Sequence, residues 1–251
     1  TVVFLRRPDR LSAGFKAYYA FHRNLMRNLG TVYRDMLRDL DLRVGKPSSV
    51  QKVEPIDRLF LMPSARAYDV ENGIFAEELE PIQFEVENPE TGRIGNVQLR
   101  ISYMSPGFQE KNPNDFVDSS RVDQRFRVMK DNNSFFIVNR SGRQIDKVEN
   151  LRFPSDRDNF TLVNFDRNWA IELNFDPVLD EQFGITVNKQ QVTLTDRMWQ
   201  ILKNNNLPAA IRALRTRFNE ERDERKGKEE EARSKASEKV MADADKFRTK
   251  P

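Results

Sequence analysis

Cysteine is absent from the chain, which excludes disulfides, thiolate metal sites and a cysteine nucleophile. Histidine occurs once, at His22, so metal sites built from several imidazoles are excluded and a Ser-His-Asp triad is disfavoured. Apolar runs never approach the roughly eighteen residues that a membrane-spanning helix needs. No membrane partner is therefore expected. Neither GxxxxGKS/T nor GxGxxG occurs, no spacing singles out a catalytic pair of carboxylates, and no internal repeat is visible. The chain opens TVVFLRRPDR, without an initiator methionine, a basic leader or an apolar signal core, and a cytoplasmic location is expected. Because it opens inside a strand-like run, the sequence reads as a piece of a longer protein.

What is present suits a folded domain. The 251 residues are 38% hydrophobic and 32% charged, and 18 phenylalanines are too many for a fully disordered chain. That length allows one large domain or two small ones. The net charge of +3 permits contact with nucleic acid without demanding it.

Residues 1–6, TVVFLR, suit a buried strand. Ser12 is a candidate N-cap for a helix over 12–40, where Phe15, Tyr18, Tyr19, His22, Leu25, Met26, Leu29, Tyr33, Met36 and Leu37 recur at intervals of three and four. Gly30 and Thr31 are expected to split that helix. Leu42–Val44 reads as a short strand ended by Gly45-Lys46-Pro47. Alternation of period two predicts strands at 81–87 and 96–104 joined as a hairpin, a strand–turn–strand from Phe135 to Val148, and a strand at 169–175. Residues 105–133 read as a charged loop. Thr195 is placed to cap a helix over 195–204, and Pro208 to open another with Ile211, Leu214 and Phe218 on one face. From 219 to 251 the apolar stripe vanishes and the charges balance, with ten acidic and ten basic residues; a solvated helix is expected.

Three places hold residues suited to binding. In FFIVNRSGRQIDK, a strand–turn–strand sets Arg140 and Arg143 at one end; an ordinary exposed hairpin turn has the same pattern. In FGITVNKQQ, Lys189 stands in a loop between a strand and a helix, where a lysine can reach a phosphate as a point charge. Asn188 and Gln190 can fix that loop through amide hydrogen bonds. Arg121, Arg125, Arg127 and Lys130 surround Phe126, a pattern that can grip a nucleic-acid backbone, although Asp118, Asp123 and Asp131 dilute the charge. The residues alone lead to a mixed α/β domain with a charged helical tail.

Four stretches resemble the region that follows the nucleotide-binding core in GHKL ATPases, the superfamily of gyrase, MutL and histidine kinases, and within it the MORC-type branch and its bacterial relatives. TVVFLRRPDRL is similar to the strand that closes the ATP-binding domain, and NLGTVYRDML to the segment after it. FFIVNRSGRQID resembles a strand-turn of these proteins, and FGITVNKQ their lysine-bearing loop. The resemblance implies an α/β, ribosomal-protein-like transducer domain, a mixed β-sheet covered by helices, over 12–206. Residues 1–11 would be the last strand of an upstream ATP-binding domain, and 207–251 a charged C-terminal helix. It also implies that Lys189 contacts the ATP γ-phosphate, with Asn188 and Gln190 as loop support. No complete catalytic set lies in this chain, so ATP and Mg2+ are expected only with the upstream domain. The implied partners are that domain, a second copy on ATP binding, and DNA; the implied setting is DNA transactions or antiviral defence. Two other readings stand beside it: a stand-alone nucleic-acid-binding module using Arg121–Lys130, and a structural adaptor acting through the C-terminal helix.

Overall fold

The computed structural model describes residues 18–65, 75–108, 128–129, 135–149, 162, 164–185 and 192–248. Helix α1 spans Tyr18–Val32 and is followed by one 3-10 turn, Met36–Arg38. A small antiparallel hairpin then joins β1 (Arg43–Lys46) to β2 (Ser49–Lys52). The main sheet holds β3 (Glu77–Glu78), β4 (Ile82–Glu87), β5 (Ile94–Tyr103), β6 (Phe135–Arg140), β7 (Arg143–Glu149) and β8 (Trp169–Phe175). Helices α2 (Asp196–Asn204) and α3 (Leu207–Arg248) complete the chain.

The protein is thus α/β with a mixed sheet. Its strands run β7-β6-β8-β5, and β3 and β4 share the outer edge of β5. Strands β6 and β8 are parallel; the other pairs are antiparallel. The two hairpins read from the alternation form as expected. The strands expected at 96–104 and 169–175 lie side by side, with Leu99 opposite Leu173 and Ile101 opposite Ile171.

One face of the sheet carries the larger core. Val97, Leu99, Ile101 and Tyr103 of β5 alternate with polar neighbours, and Trp169, Ile171, Leu173 and Phe175 of β8 point to the same face, alternating with Ala170, Glu172 and Asn174. Helix α2 covers them with Met198, Trp199 and Leu202, and the first turns of α3 with Leu207, Ile211, Leu214 and Phe218. Burying each such side chain contributes about 1.5–3 kcal/mol. Thr195 caps α2, its hydroxyl accepting from the Met198 N–H at 3.3 Å. Arg215 holds α3 to the 3-10 turn before β8 through two hydrogen bonds to the buried Asp166, at 2.8 and 2.6 Å. The opposite face carries a smaller apolar cluster that includes Leu59, Phe60, Met104, Phe108 and Ile137.

The structure refines the local readings. Helix α1 runs through Gly30 and ends at Val32, before the separate 3-10 turn, so the split falls within two residues of the expected place. The glycine serves close approach: a Cβ would overlap the Glu54 carbonyl oxygen, and the Ile56 N–H donates to the Gly30 carbonyl at 2.9 Å. Along α1 the stripe residues are mostly half-buried, Gly30 is the one buried residue and Tyr19 is 73% exposed. Gly45 and Lys46 belong to strand β1, and Pro47 and Ser48 make the turn. Leu59–Met62 forms a turn organised by Asp57, whose carboxylate accepts from the N–H groups of Leu59, Leu61 and Met62 at 2.8–3.0 Å.

Helix α3 is 42 residues long, and beyond Phe218 it is mostly exposed. Its surface is laced by i,i+4 pairs such as Arg217–Glu221 at 2.8 Å and Arg225–Glu229 at 3.0 Å. Among the described residues no helix is long and apolar enough to cross a membrane.

Candidate functional site

Lys189, Asn188 and Gln190 lie outside the described residues, and so do Arg121, Arg125, Arg127 and Lys130. The segments flanking Lys189 are described. Phe183 stacks on Phe175 at the end of β8, with ring centroids 3.8 Å apart. Gly184 follows with φ +60 and lies so close to Thr193 that a Cβ would overlap the Thr193 carbonyl oxygen. The Val192 N–H donates to Asp146 of β7 at 2.6 Å, and the Thr195 hydroxyl donates to the Gln182 carbonyl at 3.1 Å. The chain therefore enters and leaves residues 186–191 at one closed point, fixed to the end of the sheet.

Arg140 belongs to that fixing. Its guanidinium makes two hydrogen bonds to Asp180, at 2.6 and 2.8 Å, and this pairing raises its pKa above the ordinary arginine value against the cost of burial. Ser141 and Gly142 both take positive φ, which makes the tight turn between β6 and β7. Arg143 stacks over the Tyr33 ring at 5.6 Å. The NRSGR turn is thus held by its own arginines, and Arg140 is a clamp within the fold.

The sheet face opposite α2 and α3 carries polar groups that sequence reading did not single out. Register places Gln83, Gln98, Asn174, Asn139 and Gln144 in one row across five adjacent strands. The next row sets Arg100 beside Glu172. Arg34, just after α1, reaches down and pairs with Glu172; both are almost completely buried, at 2% and 1% exposure. Burial pushes the Arg34 pKa down, and Asp57 and Asp35 oppose that push. Glu172 also accepts from the Asn174 amide at 2.9 Å and stands 3.6 Å from Arg100, which continues to Glu78 at 2.7 Å. Among the described residues, both amide atoms of Asn139, Ser102 Oγ and Gln144 Oε1 are buried without a hydrogen-bond partner. The available signal was Glu172 and Asn174 at alternate positions of WAIELNF. Alternation alone reads that as a solvated face, whereas here it faces another layer of the protein.

A pocket of about 370 Å3 opens between α3 and the loop after β5, beside Phe75, Tyr103 and Phe108. The Tyr103 hydroxyl donates to Glu221 at 2.8 Å, and Arg217 lies 4.1 Å over its ring. Burial, together with the Glu221 carboxylate, raises the Tyr103 pKa. Arg217 is already neutralised by Glu77 at 2.6 Å and Glu221 at 2.8 Å, so the pocket does not present that cation to an anionic ligand. Among the described residues no group of His, Asp or Glu is arranged to hold a metal ion.

No family model, curated protein or solved structure matches the chain.

Proposed function

We propose that the chain is the transducer part of a GHKL-type ATPase, coupling ATP binding and hydrolysis in an upstream domain to dimer closure and action on DNA or in defence. The observation that carries this reading is the closed base of the segment containing Lys189, formed by Gly184 against Thr193 and by Asp146 on the Val192 N–H. A cation that senses a terminal phosphate across a domain boundary needs a fixed platform, because each ångström of play weakens the contact. The Arg140–Asp180 clamp and the Phe183–Phe175 stack tie that platform to strands β6 and β8. Movement of Lys189 with the phosphate is then passed to the sheet as a rigid displacement. In this reading Lys189 contacts the γ-phosphate, Asn188 and Gln190 support the loop, the mixed sheet with α2 and α3 is the ribosomal-protein-like transducer, and ATP and Mg2+ are held upstream. A lysine on the γ-phosphate separates ATP from ADP and stabilises the charge that develops in transfer.

The test is Lys189→Ala in the full-length protein. Removing one charge-assisted phosphate contact costs roughly 1.5–3 kcal/mol, so ATP turnover and ATP-driven closure fall about ten- to a hundredfold while ADP binding is unchanged. Lys203→Ala is the control and is silent. The 251-residue chain purified by itself is expected to show no ATPase activity. Wild-type turnover, closure and nucleotide binding in Lys189→Ala would refute the reading.

A further inference from the structure

We propose that residues 18–57 form a separately releasable layer, latched onto the sheet by the buried Arg34–Glu172 ion pair. Among the described residues, none in 18–57 belongs to either apolar cluster; both cores are built from residues 59 onward. Internally the layer is well tied. The Ile56 N–H bonds the Gly30 carbonyl at 2.9 Å, the Val53 N–H bonds the Leu42 carbonyl at 2.8 Å, and the His22 ring meets the Val44 carbonyl at 3.3 Å. Its hold on the sheet is of another kind. Arg34 enters from the layer to reach Glu172 on β8, and Tyr33 receives Arg143 from β7.

The interface beneath this latch is polar. Glu172 faces it, and on the same face of the sheet Asn139, Ser102 and Gln144 have buried polar atoms that no protein group satisfies. Water would satisfy them on opening, so these groups favour release, whereas the ion pair favours closure. A buried ion pair roughly balances its own desolvation, but losing one partner strands the other and is strongly unfavourable. The ties from the layer to the sheet are therefore the buried ion pair and the Arg143–Tyr33 contact, while its own buried apolar side chains, Leu37 and Val53, join neither apolar cluster, the property of a local opening unit. The other face has no such weakness, because α2 and α3 are bound there through continuous apolar packing. This layer lies on the sheet face away from α2 and α3, and its release is independent of the ATPase reading.

Hydrogen–deuterium exchange on the intact chain reads this directly. In the wild type, peptides covering 18–57 exchange through a local opening on the order of a hundredfold faster than β5, β8 and α2. Arg34→Met, a change in the layer itself, accelerates exchange across 18–57 by on the order of a further hundredfold and leaves α2 and the start of α3 at wild-type rates. Glu172→Gln does the same from the sheet side. The double variant Arg34→Met/Glu172→Leu, which replaces the pair with apolar groups, restores wild-type protection. Two outcomes overturn the proposal: wild-type exchange of 18–57 at the rate of β5 and β8, or uniform acceleration of every element in Arg34→Met.

Discussion

Replacing Gly184 with alanine tests the closed base beneath Lys189. Gly184 sits at φ +60, so alanine incurs the left-handed penalty of about 1–2 kcal/mol, partly offset by about 0.4–1 kcal/mol from a less flexible unfolded chain. That leaves a net loss of about 1 kcal/mol before any contact is considered. The new methyl would also lie inside 3.0 Å of the Thr193 carbonyl oxygen, a backbone atom that no side-chain rotation can move aside. Overpacking of this kind adds about 1–3 kcal/mol. The expected total is about 3 kcal/mol, and the strain passes into the Phe183–Phe175 stack next to it. Gly142 and Gly92 supply the controls, with φ +74 and +65 and open space within 4 Å of where an added methyl would stand at either position. Alanine there costs only the conformational term, about 1 kcal/mol. Urea unfolding followed by tryptophan fluorescence measures all three, because Trp169 and Trp199 are both buried in the core that Phe183 joins. For a chain of this size the corresponding drops in Tm are about 6–12 °C for Gly184→Ala and about 2–4 °C for each control. If Gly184→Ala falls within about 0.5 kcal/mol of Gly142→Ala, the two backbones do not touch there and the platform for Lys189 is lost.

Tyr103→Phe removes one phenolate step lying above pH ~10 from an ultraviolet titration, because burial and the Glu221 carboxylate raise the Tyr103 pKa above the ordinary value of about 10. Since its folded pKa lies above the unfolded one, its contribution to stability is intact below pH ~10 and is lost as pH rises through the folded value; wild type and Tyr103→Phe should converge in stability at strongly alkaline pH. Thr195→Ala removes the N-cap of α2 and destabilises the protein by about 1 kcal/mol in urea unfolding, whereas Thr195→Ser keeps the cap and most of the stability.

Much of the main sheet was legible in the residues. Period-two alternation in IQFEVE, VQLRISY and WAIELNF sets the side chains of each strand on two faces whatever the strand pairs with, so those elements could be read locally. Thr195 announces a helix start because its hydroxyl bonds a backbone N–H only three residues on. Gly142 marks the β6–β7 turn because the positive φ of Ser141 and Gly142 is set within the turn itself. The Lys189 loop could be named from its residues, and its flanks could not, because the Gly184–Thr193 approach and the Asp146–Val192 hydrogen bond join points far apart in sequence.

What the residues left open has a common physical origin. Gly30 announces the nearby end of α1 from its propensity, but only the Glu54–Ile56 segment makes it a point of close contact in the last turn of that helix. The stripe of α1 has the spacing of a core face, yet spacing says nothing about whether another element covers it. Arg140 and Arg143 could be read only as part of an ordinary hairpin turn, because their carboxylate and aromatic partners, Asp180 and Tyr33, come from distant parts of the chain. Sequence by itself determined the strand and helix periodicities, the turn chemistry and the capping, since these depend on residues within a few positions of one another. Tertiary structure alone decided which polar side chains are buried: Glu172 occupies an ordinary polar position of an alternating strand until Arg34, from a layer more than a hundred residues earlier, closes over it.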